Sequence, residues 1–414
     1  MAESTGTVQL AYKQESTWGT AATGNYALAR PTSVGLSPNL SATESDIIRS
    51  DGNIQDVVRT DAFGGGTIAF ELQEDETDEF MRSCLLSTAW TSGSASTTAS
   101  TISATASTGG VPAKFVNSAG WTGFASKDWV MVSGFGTSAS ANNGPWLVNA
   151  VSGNDMFVNG ELVAASAGAE VTVSEMDYIV NGTGNSGDPD SYSIEVGKTG
   201  ASDYALYTGM GVTGMQLEVP TGGLITLSFD FEGKVPANSG SSSAGTPTGP
   251  LVTESFNSAS DFTHVWEGDQ EFSVTSSAVL GWTNQATMLS LSLNVNPNLR
   301  MRRQLGTVGP SIVSARGSVQ VTGTVRVYYS ESGTSDDRVL EDKAVSNTKT
   351  SLAFGFRKGG KGYAIEIPTA TLTSVSSPTP GRNEDVILEY AFQGQLTNNY
   401  PNTEEMTVRI ARST

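Results

Sequence analysis

Cysteine and histidine are almost missing from this chain, which holds one of each, Cys84 and His264, in 414 residues. One thiol closes no internal disulfide, so no covalent staple holds a secreted fold together. Cys84 lies among Phe80, Met81, Leu85 and Leu86 and is expected to be a small core residue. Zinc sites draw three or four ligands from His, Cys and carboxylates, and the sequence holds no such cluster. A Ser-His-Asp triad would have to recruit His264, which stands in DFTHVWEGD in a chain without a G-x-S-x-G elbow. Charge is scarce as well, at 16% of residues, and lopsided: 42 acids against 23 bases, a net −19. A surface of that sign repels phosphate, which argues against sequence-reading DNA binding, and it keeps concentrated protein in solution. No run of 18 apolar residues is present to span a bilayer. The opening MAESTGTVQLAYKQE lacks a basic segment followed by an apolar one, so the chain is expected to remain soluble in the cytoplasm where it is made.

Two stretches imitate functional motifs and fail on inspection. Gly355-Phe-Arg-Lys-Gly-Gly-Lys-Gly resembles a phosphate-binding loop, but Gly362 stands where a magnesium-binding hydroxyl is needed, and YAIEIP reads as a strand where a helix should begin. Lys358-Gly-Gly-Lys361 is therefore expected to be a hairpin turn. The acids Glu74-Asp-Glu-Thr-Asp-Glu79 lack the alternating spacing of a calcium loop and suit the first turn of a helix. Paired carboxylates for glycoside cleavage are not signalled anywhere.

What the chain does have is glycine (46 residues), hydroxyl side chains and strict two-residue alternation. Ile68, Phe70 and Leu72 share one face of a strand. In LITLSFDFEG, Ile225, Leu227, Phe229 and Phe231 point one way, and Thr226, Ser228, Asp230 and Glu232 the other. Such strands have one packed and one wet face and belong to antiparallel sheets. The order of elements then recurs. MLSLSLNVNPNLRMRRQLG (288–306) echoes RPTSVGLSPNLSATESDII (30–48), each with a strand ending in Pro-Asn-Leu. SVQVTGTVRVYY echoes AFGGGTIAFEL, and helix candidates follow at 75–86 and 335–345. DVILEYAFQGQL echoes LITLSFDFEGKV. Recurrence in the same order predicts a tandem duplication: copy 1 over 1–100 and 177–235, copy 2 over 263–414, and a Ser/Gly/Pro-rich linker over 236–262. Residues 101–176 interrupt copy 1. With Phe124, Trp129, Val130, Trp146 and Phe157 they suffice for a small inserted β domain.

VQLAYKQESTWGT, ESDIIRSDGNIQDV followed by GTIAFEL, YTGMGVTGMQLEVPTGGLITLSFDFEGK, LSLNVNPNLRMRRQLG and the insertion GFASKDWVMVSGF…NNGPWLVNAV together resemble the tail tube (major tail) proteins of long-tailed bacteriophages, over nearly the whole chain. The resemblance implies a mainly β fold: two tandem tail-tube β-sandwich or barrel domains, each with one short helix, plus the inserted β domain on the outside. It implies rings whose inner sheets join one ring-wide β-barrel, stacked into a hollow tube that conducts DNA, without cofactor, metal or catalysis. Six domains per ring and two per chain predict a homotrimeric, pseudo-hexameric ring, with a hexamer as the alternative. Tail tip, tape measure and tail terminator proteins are the further partners implied. The location implied is the virion tail, assembled in the bacterial cytoplasm, with no membrane.

On this reading the wet strand positions Glu195, Glu218, Asp230, Glu232, Glu366 and Glu389 line the lumen and repel DNA, which slides without specific binding. Arg326 shows that such a wall is not purely acidic, and ordinary solvated faces are the plainer reading of each residue. The two segments after Pro-Asn-Leu correspond to inter-ring loops, with Asp46, Arg49, Asp56, Arg59, Arg300, Arg302, Arg303 and Arg316 as contacts between rings. A surface carbohydrate-binding or adhesion protein is the alternative, resting on Trp121, Trp129 and Trp146 as sugar-stacking platforms.

Overall fold

Alternating apolar positions, broken by glycine and polar turns, lay the chain down as antiparallel strands. A computed structural model describes residues 8–413, apart from 109–111, 159, 161, 182–188, 250–254, 257–261, 269–273, 276–277, 280–287, 329–335, 359, 377–380, 382–383 and 398–405. The first half contains β1 (Val8–Gln14), β2 (Ala27–Ala29), β3 (Ser33–Val34), β4 (Ser37–Glu44), β5 (Val57–Glu71) and helix α1 (Asp78–Cys84). The insertion follows with β6 (Ser96–Ala99), β7 (Ile102–Thr105), β8 (Lys114–Asn117), β9 (Trp129–Ser133), β10 (Gly144–Ser152), β11 (Asp155–Val158) and β12 (Val171–Glu175). The chain then returns through β13 (Asp177–Val180), β14 (Tyr192–Lys198), β15 (Asp203–Val219), β16 (Thr226–Gly233) and β17 (Ala237–Ser239). The second half has β18 (Phe262–Gly268), β19 (Val274–Thr275), β20 (Ala278–Val279), β21 (Met288–Asn296), β22 (Arg300–Arg302), β23 (Ile312–Ala315) and β24 (Gln320–Tyr328). Helix α2 (Asp336–Ser346), β25 (Thr350–Lys358), β26 (Lys361–Ser376), β27 (Ile387–Gly394) and β28 (Arg409–Arg412) complete it.

Strand order in the two halves runs in parallel. β1 pairs with β14, β14 with the first part of β15, the second part of β15 with β16, and β16 with β5, which carries β3 and β4 on its other side. Likewise β18 pairs with β25, β25 with β26, the end of β26 with β27, β27 with β24, and β24 with β21. Even the irregularities match: β15 shifts register between Val212 and Gly214, and β26 between Leu372 and Ser374. The halves join directly, β15 against β21, with Met215 opposite Val295, Leu217 opposite Leu293 and Val219 opposite Leu291. The expected hairpin at Lys358–Lys361 is present, with Lys358 paired to Lys361 where β25 meets β26.

The core lies between this inner sheet and an outer layer of β1, β14, β25 and the helices. Phe80 of α1 is fully buried among Tyr12, Tyr192, Phe229 and Phe231, with ring centroids 4.5, 5.3, 5.6 and 5.2 Å away. Burying such a ring stabilises the fold by roughly 1.5–3 kcal/mol. Cys84, the last residue of the same helix, is buried, as expected. The acidic run before α1 ties elements together. Glu74 pairs with Lys361 (2.6 Å), Glu76 with Arg30 (2.7 Å), and Asp78 with Arg412. Asp78 also accepts a hydrogen bond from the Tyr363 hydroxyl (2.7 Å), and burial pushes its carboxyl up to about 6.

The triple glycine of β5 has a steric cause. Gly66 sits at φ +148°, and a Cβ there would meet the Gly35 carbonyl oxygen at 2.2 Å, where β3 hands over to β4.

Two expectations about organisation change. The 236–262 segment does not run free where it is described. β17 pairs with β15, Ala244 is buried against Tyr26, and Ser242 and Ser243 bind Glu195. The insertion forms its own seven-stranded sheet, in the order β6-β12-β9-β10-β11-β8-β7, and so begins at Ser96 rather than 101. It is seated on the second half, with Ala353, Ala364 and Ala411 inside its core. At that seam Glu366 accepts from Trp129 Nε1 (3.0 Å) and from Arg409 Nε (3.1 Å) and Nη2 (2.9 Å).

Candidate assembly surface

Strands β3–β4, β5, β16, β15, β21, β24, β27 and the end of β26 form one continuous sheet. Its first face is core: Ile68, Phe229, Met215, Leu293, Val325 and Tyr390 are each at most 2% exposed. Period-two geometry then forces the intervening residues onto the other face. That face presents Thr67, Asp230, Gln216, Asn294, Thr324 and Glu389, so it is mainly hydroxyl, amide and carboxylate. A shallow depression of about 290 Å³ lies on it, lined by Asn294, Thr322, Thr324 and Gln393.

Four of the six predicted wall carboxylates belong to this face. Glu218 accepts from Ser292 Oγ (2.5 Å) and Gln216 Nε2 (2.7 Å). Asp230 accepts from Thr67 Oγ1, and Glu389 faces Arg326 at 3.4 Å. Glu232 is half-buried, and burial raises its pKa against the opposing pull of Arg303. Glu195 and Glu366 are different and correct the expectation. Each is on an outer strand, 4% and 1% exposed, and serves as an internal acceptor: Glu195 for the connector, Glu366 for the insertion's seam. Alternation put them on a polar register without revealing that another segment covers that register.

The arms also differ from expectation. Pro38-Asn39-Leu40 lies inside strand β4, which pairs with β5 from Ser37↔Gly65 to Glu44↔Val57. The second Pro-Asn-Leu follows β21. The first arm is thus a long β-hairpin with its tip at 45–56, because pairing satisfies backbone groups that an open loop would leave to water. Asp46, Arg49, Asp56 and Arg59 are all exposed on it. Arg49 is held by Asp51 within the tip (2.8 Å), and Asp56 accepts from the Val57 amide (2.8 Å). The second arm is the β22–β23 hairpin. Arg303 pairs with Asp61 of the same chain (2.8 Å), Arg316 donates to the Leu86 carbonyl (3.3 Å), and Arg300 donates to the Arg316 carbonyl (3.2 Å). Within one molecule, Arg303 thus ties the second arm to the first, Arg316 ties it to the end of α1, and Arg300 closes it on itself. Arg302 is exposed.

Sequence reasoning passed over the apolar content of the first arm. Leu40, Ile47, Ile48, Ile54, Val57 and Val58 are 53–96% exposed, Ile48 the most. The signal stood in DIIRSDGNIQDVV, where the charges drew attention away from the aliphatic residues between them. An apolar patch of this kind marks an interaction surface.

The sheet ends in two open edges. Among the described residues, β3 and β4 pair only with β5. Among the same described residues, β26 beyond Ala370 pairs only with β27. A family model for phage tail tube proteins matches residues 5–394. The chain belongs to this family. No curated protein matches it. This tail tube protein is therefore a structural component of the bacteriophage virion tail, of a family that self-assembles into a tube together with other tail proteins. The mainly β fold expected from the resemblance is the fold observed. The three tryptophans of the adhesion alternative lie inside the insertion: Trp121, Trp129 and Trp146 are 8%, 2% and 0% exposed. Each indole N–H is used internally, so none offers a stacking platform.

Proposed function

We propose that this protein forms rings of three chains, each chain supplying two duplicated tube domains. In this reading the rings stack into the hollow tail tube through which phage DNA passes to the host. The observation that carries it is the repeated strand order joined at β15–β21 into one sheet with an open edge at each end. An open edge is a pairing hazard unless it is closed or covered, and head-to-tail pairing that closes makes a ring. The apolar face of the sheet is already covered by its own helices and outer strands. Closure therefore leaves the polar face, with Glu218, Asp230, Glu232 and Glu389, toward the channel. Carboxylates there repel phosphate and let DNA slide.

The insertion lies on the outer layer, on the far side from that face. The apolar first arm supports contact with the next ring, and the tail tip, tape measure and terminator proteins meet the ends and interior of the tube. Nothing in this role calls for catalysis.

Electron microscopy of the concentrated protein tests the proposal: stacked rings of three chains and six tube domains are expected. Persistent monomers in every condition refute the tube, and rings of twelve tube domains refute the trimer.

A further inference from the structure

The junction between β15 and β21 is an interface whose two sides happen to lie in one chain, and each side has an equivalent elsewhere in the molecule. The matched bulges align β15 with β26, so that Gly214, Met215 and Gln216 correspond to Ser374, Val375 and Ser376. On the other side, Val34 faces Ile68 as Leu291 faces Val325, and Ser37 faces Gly65 as Asn294 faces Thr322. Gly66 and Gly323, opposite Phe231 and Phe392, confirm that register. Ser37 and Pro38 thus correspond to Asn294 and Val295.

The helices show the same contrast between a filled and an unfilled site. At the internal junction the end of α1 closes over β21. Cys84 Sγ is 3.6 Å from the Val295 carbonyl, and Leu85 and Leu86 are 0% and 7% exposed. The two helices end alike, the amides of Leu86 and Ser87 donating to the carbonyls of Ser83 and Arg82 as those of Asn347 and Thr348 donate to Ala344 and Lys343, with Leu86 and Asn347 both at φ +56°. This places Val345 at the position of Cys84, and Val345 is 90% exposed. Beside it, a cleft of about 430 Å³ runs between α2 and the unpaired edge of β26, lined by Ala344, Val345, Leu372, Thr373 and Val375. In the first half the equivalent space is where β21 lies.

We infer that this cleft receives the β3–β4 strand of a second copy of the chain, in the register of the internal junction: Ser37 opposite Ser376, and Pro38 opposite Val375. The inference rests on the ring reading and assigns its contact. Pro38 has no N–H to donate, so the new pairing forgoes a backbone bond at that residue, and the same feature keeps the free edge from pairing indiscriminately before assembly. The contact then draws less on backbone hydrogen bonds at that residue than the internal junction does, and more on Val345, Leu372 and Val375. The positions equivalent to Leu217–Val219 are Ser377–Thr379, outside the described residues.

Directly opposed residues of an antiparallel pair have Cα atoms about 4.5–5.5 Å apart, within disulfide reach. The double variant Ser37→Cys/Ser376→Cys, assembled and mildly oxidised, is expected to give cross-linked oligomers ending at the closed ring on a non-reducing gel. Each single variant, and Ser37→Cys/Thr373→Cys three residues out of register, is expected to remain monomeric on that gel. Cys84 is buried and does not compete. Val345→Asp is expected to weaken closure about tenfold per contact, while the unassembled chain keeps its far-ultraviolet spectrum. Rings that form from the double variant without the cross-link, or that cross-link in the shifted pair instead, overturn the inference and leave the ring standing. A wild-type chain that never forms rings removes the ring reading itself.

Discussion

Replacing Arg409 with methionine is the sharpest probe of how the insertion is fastened. Arg409 and Glu366 are 6% and 1% exposed, and two nitrogens of the guanidinium contact one carboxylate oxygen at 2.9 and 3.1 Å. Arg409 also donates to the Lys127 carbonyl and lies 5.4 Å from the centre of the Tyr178 ring. Arg409→Met keeps the aliphatic stem, removes the charge, and leaves Glu366 with only the Trp129 N–H among these contacts. Breaking a buried pair from one side costs about 3–5 kcal/mol, because the remaining charge stays desolvated. At about 2–4 °C per kcal/mol for a domain of 150–250 residues, 3 kcal/mol lowers the melting temperature by roughly 6–12 °C. Glu366→Leu combined with Arg409→Met removes both charges and is expected to recover most of that loss. The assay is urea unfolding of the unassembled chain for wild type, both single variants and the double variant, with limited proteolysis between residues 90 and 180 as a local readout. An Arg409→Met variant within about 1 kcal/mol of wild type, or a double variant as unstable as the sum of the singles, refutes the reasoning.

Asp78 carries a pH signature. Its carboxyl is raised from 3.8 to about 6, chiefly by burial, so the folded state holds a proton that the unfolded state has released between those values. Stability from this group therefore falls as pH rises from about 4 to 6. Relative to Asp78→Asn, wild type is expected to lose on the order of 3 kcal/mol across that window, a difference that unfolding at a series of pH values reads directly. Ile47→Asp/Ile48→Asp on the first arm is expected to leave folding and ring closure unchanged and to cost several kcal/mol per ring-to-ring contact. Sedimentation should then find rings without tubes. Gly66→Ala places a Cβ against the Gly35 carbonyl at a backbone angle that L side chains rarely adopt, and is expected to destabilise the unassembled chain by about 2 kcal/mol or more in thermal unfolding.

Alternation and order were legible from residues alone. LITLSFDFEG announces β16 and both of its faces, Lys358–Lys361 announces a turn, and Glu74–Glu79 announces the start of α1. The list of wall carboxylates was only partly legible. Glu218, Asp230 and Glu195 all stand among polar neighbours on alternating strands, yet Glu195 is covered by Ser242 and Ser243 from a segment that looked like a linker. Coverage depends on which distant chain lies over a strand, and alternation carries no information about that. The Pro-Asn-Leu echo misled for a related reason: local likeness aligned the two tripeptides, whereas pairing partners across the sheet align Pro38 with Val295.

The sequence by itself determined that this is a chain of antiparallel strands with one wet face, built from a recurring order of elements and carrying a single histidine and a single cysteine. Those properties follow from residue type and spacing, which act over a few positions. Only the tertiary structure decided which acids face solvent, that the first arm is an apolar hairpin, that Arg303 and Arg316 are engaged within the molecule, and where the sheet stops. These depend on contacts between residues up to hundreds of positions apart, such as Trp129 with Glu366 or Met215 with Val295. Edge strands are defined by the partner they lack, and that becomes visible only once every other strand has found its own.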